Sequence, residues 1–299
     1  MSDDHRIVVG VDGTRSSDNA LRWAAEFAAK TGRSLLLVHV AHEAREAPGP
    51  DNPLQSAEAL VAAGYPDLTT VGVAATGETA VQLVRFSQGA DLLVLGRGRE
   101  GFLPLRLGRV AHRVLSRAVC PTAVVPGGPR GFANTIVVGV SDSIGGGAAL
   151  RFAFAEATRL GADVVAVRSW SEVQRRLGAS AVLALTAPDT WESQERTVLS
   201  DCLLPLRRAY PSVPVRSVLT GEPTELVLDR EGQNARMVVV GCRRADGGRL
   251  PRLGPVASWA VRDFDVPVVV VGHPAGSVER PADADWCDKL IAAQLEPQR

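Results

Sequence analysis

An internal repeat constrains this chain more than any other feature of its 299 residues. The sequence Ile-Val-Val-Gly-Val at residues 7–11 returns at residues 136–140, and Ala-Leu-Arg at 20–22 returns at 149–151 with the same spacing. Further matches follow in the same order: Gly32 with Gly161, Gly77-Glu78 with Gly221-Glu222, Gly96 with Gly241, Gly108 with Gly254 and Pro121 with Pro267. A colinear series of this kind indicates two copies of one fold, the second with an insertion in its middle.

The two copies are separated by a segment rich in proline and glycine at residues 126–131. This composition is typical of a linker between domains. We therefore predict a first domain over residues 1–130, a second domain over residues 131–273 and a C-terminal tail over residues 274–299.

The charge balance excludes several classes of partner. The chain has 33 Lys+Arg and 33 Asp+Glu, so it lacks the basic excess that binds nucleic acid or membrane surfaces. No apolar run approaches the roughly 20 residues that span a bilayer. The start of the sequence is polar, and the apolar run after it is too short for a signal peptide. We expect a cytoplasmic protein with no nucleic-acid or membrane partner.

Short β-branched runs alternate with helical periods in both halves. In the first half, the predicted strands cover residues 6–11, 35–40, 69–74, 91–95 and 122–125. In the second half, they cover residues 135–140, 163–168, 213–219, 236–240 and 267–271. The clearest helical face has Ala20, Leu21, Ala24, Phe27 and Ala28, and Gly32 is its expected end. Strands that alternate with helices predict an α/β fold with two doubly wound parallel sheets in tandem.

Ligands of such sheets bind outside the carboxyl ends of the strands, at the topological switch point. Asp12 follows the first strand, where a carboxylate can hold a ribose hydroxyl or an adenine amino group. The alternative is that this segment only caps the next helix through Ser16, Ser17 or Asp18, and the local pattern favours capping.

A Gly/Arg loop follows the fourth strand, with Gly96, Arg97, Gly98 and Gly101 before Gly108-Arg109 opens a helix. Glycines let backbone N–H groups approach a phosphate, and a helix start adds its dipole. The alternative is a solvated loop whose arginines pair with surface carboxylates. Neither a P-loop nor a dinucleotide fingerprint is present.

Several motifs occur in order along the first half. They are Val-Val-Gly-Val-Asp-Gly-Thr at 8–14, Ala-Leu-Arg-Trp-Ala at 20–24, Val-His-Val at 38–40, Gly-Glu-Thr-Ala at 77–80, Ala-Asp-Leu-Leu-Val-Leu-Gly at 90–96 and Cys-Pro-Thr-Ala-Val-Val at 120–125. This series resembles a universal stress protein domain, and so does the second half. The resemblance covers residues 6–126 and 135–272, so the chain resembles a tandem member of that family.

The resemblance implies a five-stranded sheet in the order 3-2-1-4-5 in each half. It also implies ATP binding, through the Asp after strand one, the main chain at the end of strand two and a Gly-x2-Gly-x9-Gly-Ser/Thr loop. The matching positions are Asp12, Val40, Gly96, Gly98 and Gly108, and Gly10, Arg97, Gly101 and Arg109 complete the candidate site. The loop departs from the pattern, since only one residue separates Gly96 from Gly98. Arg109 replaces the Ser/Thr, where it either supplies a charged donor or obstructs the phosphate.

The second half departs further from the family's pattern. Ser141 stands at the Asp position, beside Asp142, and the loop reads Gly241-x2-Arg244-x9-Gly254-Pro255. Arg244 is strained if the loop needs a positive φ, and Pro255 has no N–H donor. If one half binds a nucleotide, we expect it to be the first.

We therefore expect a stress-response protein whose two domains form an internal pseudo-dimer and whose first domain binds ATP without a catalytic cycle. The alternative is a nucleotide-free interaction scaffold with degenerate pockets. An adenylate hydrolase or transferase is less favoured, because only Glu100 lies near the glycine loop as a base. A metal site at His39 and His42 lacks a third ligand. Besides the nucleotide, the expected partners are an unidentified protein and a second tandem chain in a homodimer.

Overall fold

A computed structural model describes residues 5–41, 52–98, 107–127, 133–141, 144–171, 188–242 and 253–272 of the chain. They form two compact units, the first within residues 5–127 and the second within residues 133–272. The predicted boundaries at residues 130 and 273 lie outside the described residues and stay predictions. In the described part of the chain, no helix is long and apolar enough to cross a membrane.

Each unit alternates strands and helices. The elements of the first unit are β1 (Arg6–Gly10), α1 (Arg15–Thr31), β2 (Ser34–Ala41), α2 (Pro53–Gly64), β3 (Thr70–Thr76), α3 (Thr79–Phe86), β4 (Leu92–Gly96), α4 (Arg109–Leu115) and β5 (Thr122–Val125). Those of the second unit are β6 (Thr135–Gly139), α5 (Ile144–Leu160), β7 (Asp163–Ser169), α6 (Pro188–Ala209), β8 (Val215–Thr220), α7 (Thr224–Gly232), β9 (Met237–Gly241), α8 (Pro255–Asp263) and β10 (Val268–Val271).

All described pairings within each unit are parallel, and the order of strands is the one that the family resemblance implied. In the first unit it is β3-β2-β1-β4-β5, with Ile7 of β1 paired to Leu35 of β2 on one side and Leu92 of β4 on the other. In the second unit it is β8-β7-β6-β9-β10. The predicted fold is confirmed, and the switch point of each sheet lies between its first and fourth strands.

The central strands are buried on both faces, as their unbroken apolar runs predicted. Val8 and Leu93 of the first sheet are fully buried, and Phe86 of α3 packs in the same core. On α1, the predicted apolar face is buried from Ala20 to Ala28, and Phe27 stacks on Trp23 with ring centroids 5.0 Å apart. This face fixes α1 against the sheet and so fixes where the helix starts.

Local features of the sequence set the start of α2. The helix begins at Pro53, and the side chain of Asn52 accepts a hydrogen bond from the N–H of Leu54 at 2.9 Å. Proline is well suited to the first helical position, since its missing N–H would have no partner there. The insertion of the second half lengthens the corresponding helix, α6, to 22 residues.

The end of α1 supports a stability prediction. Gly32 ends the helix with a φ of 67°, and among the described residues nothing beyond its own stretch of chain lies within 4 Å of the position that a Cβ would take. Gly32→Ala should therefore destabilise the first unit by about 1 kcal/mol through backbone strain alone. Urea unfolding of the full chain followed by circular dichroism measures this loss.

Gly64→Ala is the matched control, because that site is equally open and has no positive φ. The control should leave the free energy of unfolding unchanged or slightly raised, because alanine is the better helix former. Equal losses from both substitutions would show that strain at Gly32 is not the cause.

Candidate functional site

Asp12 belongs to a tight turn between β1 and α1. Its Oδ1 accepts hydrogen bonds from the N–H of Thr14 at 3.0 Å and from the Thr14 hydroxyl at 2.6 Å. Gly13 has a φ of 73°, a conformation that favours glycine. The Asp12 residue is exposed, so its carboxylate lies at the surface of the switch point with one oxygen held by the turn.

Thr14 caps α1, and the expectation that Ser16, Ser17 or Asp18 does so is wrong. The Thr14 hydroxyl oxygen accepts from the N–H of Ser17 at 3.3 Å. The Ser17 hydroxyl donates to the Thr14 carbonyl at 3.0 Å and accepts from the N–H of Asp12 at 3.4 Å. The cap therefore also fixes the Asp12 turn, which leaves Ser16 available for another contact.

Val40 lies near the end of β2, beyond the last residue of β1. Gly10 pairs with Val38, and the N–H of Val11 donates to the Val38 carbonyl at 2.9 Å. Val40 is half-buried and pairs with Ala75 of β3 on its other side. Its main chain thus borders the same end of the sheet as Asp12.

The neighbouring His39 is engaged by the protein itself. Its Nδ1 lies 2.9 Å from the Val11 carbonyl oxygen. The second histidine of the suggested metal pair, His42, lies outside the described residues. The described residues contain no cluster of three or more histidine, cysteine, aspartate or glutamate side chains that could hold a metal ion.

The observed contacts of Gly10 are packing contacts within the protein. A Cβ on this residue would lie 2.9 Å from Leu95 Cδ2 and 3.3 Å from a methyl of Leu83. Glycine at this position therefore lets α3 and β4 pack against β1.

The loop after β4 starts against the first turn of α1. A Cβ on Gly96 would lie 2.6 Å from both the carbonyl and the hydroxyl oxygen of Ser16. The N–H of Gly98 donates to the same Ser16 hydroxyl at 3.1 Å. Ser16 therefore joins the end of β4 to the start of α1, a contact that the local sequence pattern, which suggested only capping, does not predict.

The two ends of the glycine loop are hydrogen-bonded to each other. The N–H of Gly108 donates to the Arg97 carbonyl at 2.9 Å, and the N–H of Arg97 donates to the Val125 carbonyl at 2.9 Å. Gly98 has a φ of 98°, and a Cβ on it would lie 2.9 Å from the Cα of Gly108. Gly101 lies outside the described residues.

Arg109 is exposed at the first position of α4, after an extended Gly108 that offers no side-chain cap. Among the described residues, no carboxylate forms an ion pair with Arg109, whereas Arg113 of the same helix pairs with Glu78. A surface ion pair thus forms at Arg113 of α4, while Arg109 makes none with the described carboxylates, so pairing of the loop arginines stays an alternative.

The structure thus brings together the Asp12 turn, the Gly96–Gly98 segment, Gly108 and Arg109 around the start of α1, with Val40 at the neighbouring strand end. Contacts within the protein already require glycine at positions 96 and 98. The glycine pattern alone is therefore not evidence of a phosphate.

The corresponding end of the second unit carries larger side chains. Arg168 of β7 has the same register as His39 of β2. Its Nε forms an ion pair with Glu195 Oε2 of α6 at 2.5 Å, and both residues are buried. Next along the chain, the indole of Trp170 lies against Gly221, where the first unit has Ala41 and Gly77.

The loop ends of the second unit also differ. Ser141 is exposed at the Asp12 position. Its carbonyl and hydroxyl oxygens fill the space that a Cβ on Gly146, in the first turn of α5, would need. Pro255 is the first residue of α8, after Gly254. Asp142 and Arg244 lie outside the described residues.

The Arg168–Glu195 pair gives a prediction for the stability of the second unit. Glu195→Ala removes a charged hydrogen-bond partner from a buried guanidinium, which should lower the free energy of unfolding by about 1.5–3 kcal/mol. The matched control on the same helix is Glu192→Ala, which breaks an exposed pair with Arg196 and should cost less than about 1 kcal/mol. Urea unfolding of both variants checks the difference, and equal small losses would contradict it.

One protein family matches both halves of the chain. The model of the universal stress protein family matches residues 5–126 and 133–272. Universal stress protein Rv2005c of Mycobacterium tuberculosis is 30% identical over 292 residues, covering 89% of this chain and 96% of that protein. Universal stress protein Rv1996 of the same organism is 29% identical over 305 residues, covering 90% and 95%.

Solved structures show the same fold. A universal stress protein from Archaeoglobus fulgidus matches with a TM-score of 0.64 at 16% identity, covering 90% of this chain and 99% of that one. Protein PA1789 from Pseudomonas aeruginosa, described as functionally unknown, matches with a TM-score of 0.63 at 15% identity, covering 97% and 95%. Because the family's model matches both halves and its relatives align over most of their length, this chain belongs to the universal stress protein family as a tandem two-domain member.

Proposed function

We propose that the first unit binds an adenine nucleotide, ATP, at its switch point and that the protein acts in the stress response through the bound state, without a catalytic cycle. The observation that carries the proposal is the convergence of the Asp12 turn and the stem of the glycine loop on the first turn of α1. In open parallel sheets this is the region where ligands bind.

Different residues of the site contact different parts of the nucleotide. The exposed Asp12 carboxylate accepts hydrogen bonds from the ribose or the base, and the main chain of Val40 borders the base. The start of α1 favours an anion, because the helix dipole points its positive end there. Arg109, which follows Gly108 at the end of the loop, adds a charged donor for the phosphates.

The contacts of Asp12 favour binding without a catalytic step. Its Oδ1 accepts two hydrogen bonds from Thr14, which suits a fixed acceptor better than a group that must pick up and release a proton. ATP would then act as a signal of the nucleotide supply rather than as a substrate.

The asymmetry between the units supports placing ATP in the first. The second unit has the Arg168–Glu195 pair and Trp170 at the strand end where the first has His39 and Ala41. Larger side chains leave less room for a base at that strand end.

A nucleotide-free interaction scaffold is the second candidate. The packing demands on Gly96 and Gly98 favour it, because they explain these glycines without a phosphate. An absence of ATP binding by the intact chain would select this candidate.

Asp12→Asn tests the proposed site. Asparagine keeps an oxygen to accept from Thr14, so the turn survives, but the charged acceptor for the nucleotide is lost. A charged hydrogen bond exceeds a neutral one by about 1 kcal/mol, so ATP affinity should fall about fivefold. Isothermal titration calorimetry on the intact chain measures the change.

Asp67→Asn is the matched control, since it removes one exposed carboxylate at the amino end of β3, near Thr69 and away from the switch point. It should leave ATP affinity within twofold of the unmodified chain. Equal effects from the two substitutions would mean that only net charge matters and that Asp12 is not a ligand.

A further inference from the structure

Ser16 lies in the first turn of α1, but its side chain contacts a distant part of the sequence. Its hydroxyl oxygen accepts a hydrogen bond from the N–H of Gly98, a residue 82 positions later in the chain. Thr14 caps this helix, and the Ser17 hydroxyl donates to the Thr14 carbonyl, so Ser16 is not needed for the cap.

The Ser16 hydroxyl still has a hydrogen to donate. Within the described residues, the hydroxyl acts only as an acceptor, from Gly98. A hydroxyl has one donor hydrogen beside its acceptor sites, and accepting a bond from an amide polarises that hydrogen for a further bond. Ser16 is half-buried, so part of its surface remains open to a ligand.

The surroundings of this hydroxyl favour a negative acceptor. It lies in the first turn of a 17-residue helix, where the dipole stabilises anions. Gly98 in turn packs against Gly108, which precedes the positively charged Arg109. The hydroxyl therefore stands between the positive start of α1 and the stem of the glycine loop.

We propose that Ser16 is a specificity-determining residue of the first unit: its hydroxyl holds the Gly98 amide in place and donates to a phosphate of the bound nucleotide. This inference rests on the proposed function and adds how the site distinguishes a nucleotide from its nucleoside. The loop itself supplies no hydroxyl at its return point, because Arg109 follows Gly108 directly.

The test compares ATP with adenosine in isothermal titration calorimetry of the intact chain. Ser16→Ala removes the donor, so the affinity for ATP should fall about tenfold or more while the affinity for adenosine changes less than twofold. Ser16→Thr keeps the hydroxyl and should retain most of the preference for ATP.

Ser17→Ala is the control in the same turn, because the Ser17 hydroxyl already donates to Thr14. It supports the Asp12 turn, so it should weaken ATP and adenosine alike and leave their ratio unchanged. Thermal unfolding of each variant verifies that the first unit is folded under the conditions of the titration.

Three outcomes would overturn the inference. If Ser16→Ala leaves the ratio of the two affinities unchanged while the unmodified chain binds ATP, Ser16 does not recognise phosphate and only this inference fails. If Ser16→Ala tightens ATP binding, the hydroxyl competes with the phosphate for the Gly98 amide. If the unmodified chain binds neither compound, the proposed function fails as well.

Discussion

The pairing of β1 on both of its edges is the constraint on which the rest of the first unit depends. β2 and β4 run parallel to β1 on opposite sides, so the chain leaving β1 must cross the carboxyl end of the sheet between them. The Asp12 turn and the start of α1 are thereby forced against the end of β4. The candidate site is a consequence of this topology before any ligand is considered.

The glycines around the candidate site are required for two different physical reasons. Gly13 and Gly98 have positive φ angles, so the backbone itself requires glycine there. Gly10 and Gly96 are needed because leucine side chains or the first turn of α1 fill the space of a Cβ. The glycines at this strand end are therefore required first by packing and backbone conformation, and the proposed nucleotide contacts come from Asp12, Ser16 and Arg109.

Local patterns predicted the elements well. The buried strands and the end of α1 at Gly32 followed from apolar periodicity and from the conformational freedom of glycine. The contact between Ser16 and Gly98 was not predictable, because it joins residues that meet only after the sheet has formed. The cap was misassigned for a local reason: several neighbouring residues have capping side chains, and only the exact helix start selects Thr14.

The two units differ at the carboxyl ends of their strands, while the order and register of the strands are preserved. Strand order and register are the same, but the second unit places a buried ion pair and Trp170 at its strand ends. We propose that only the first unit binds ATP. Native mass spectrometry of the intact chain titrated with ATP tests this directly: we expect saturation at one nucleotide per chain, and saturation at two, or no bound nucleotide at all, would contradict the proposal.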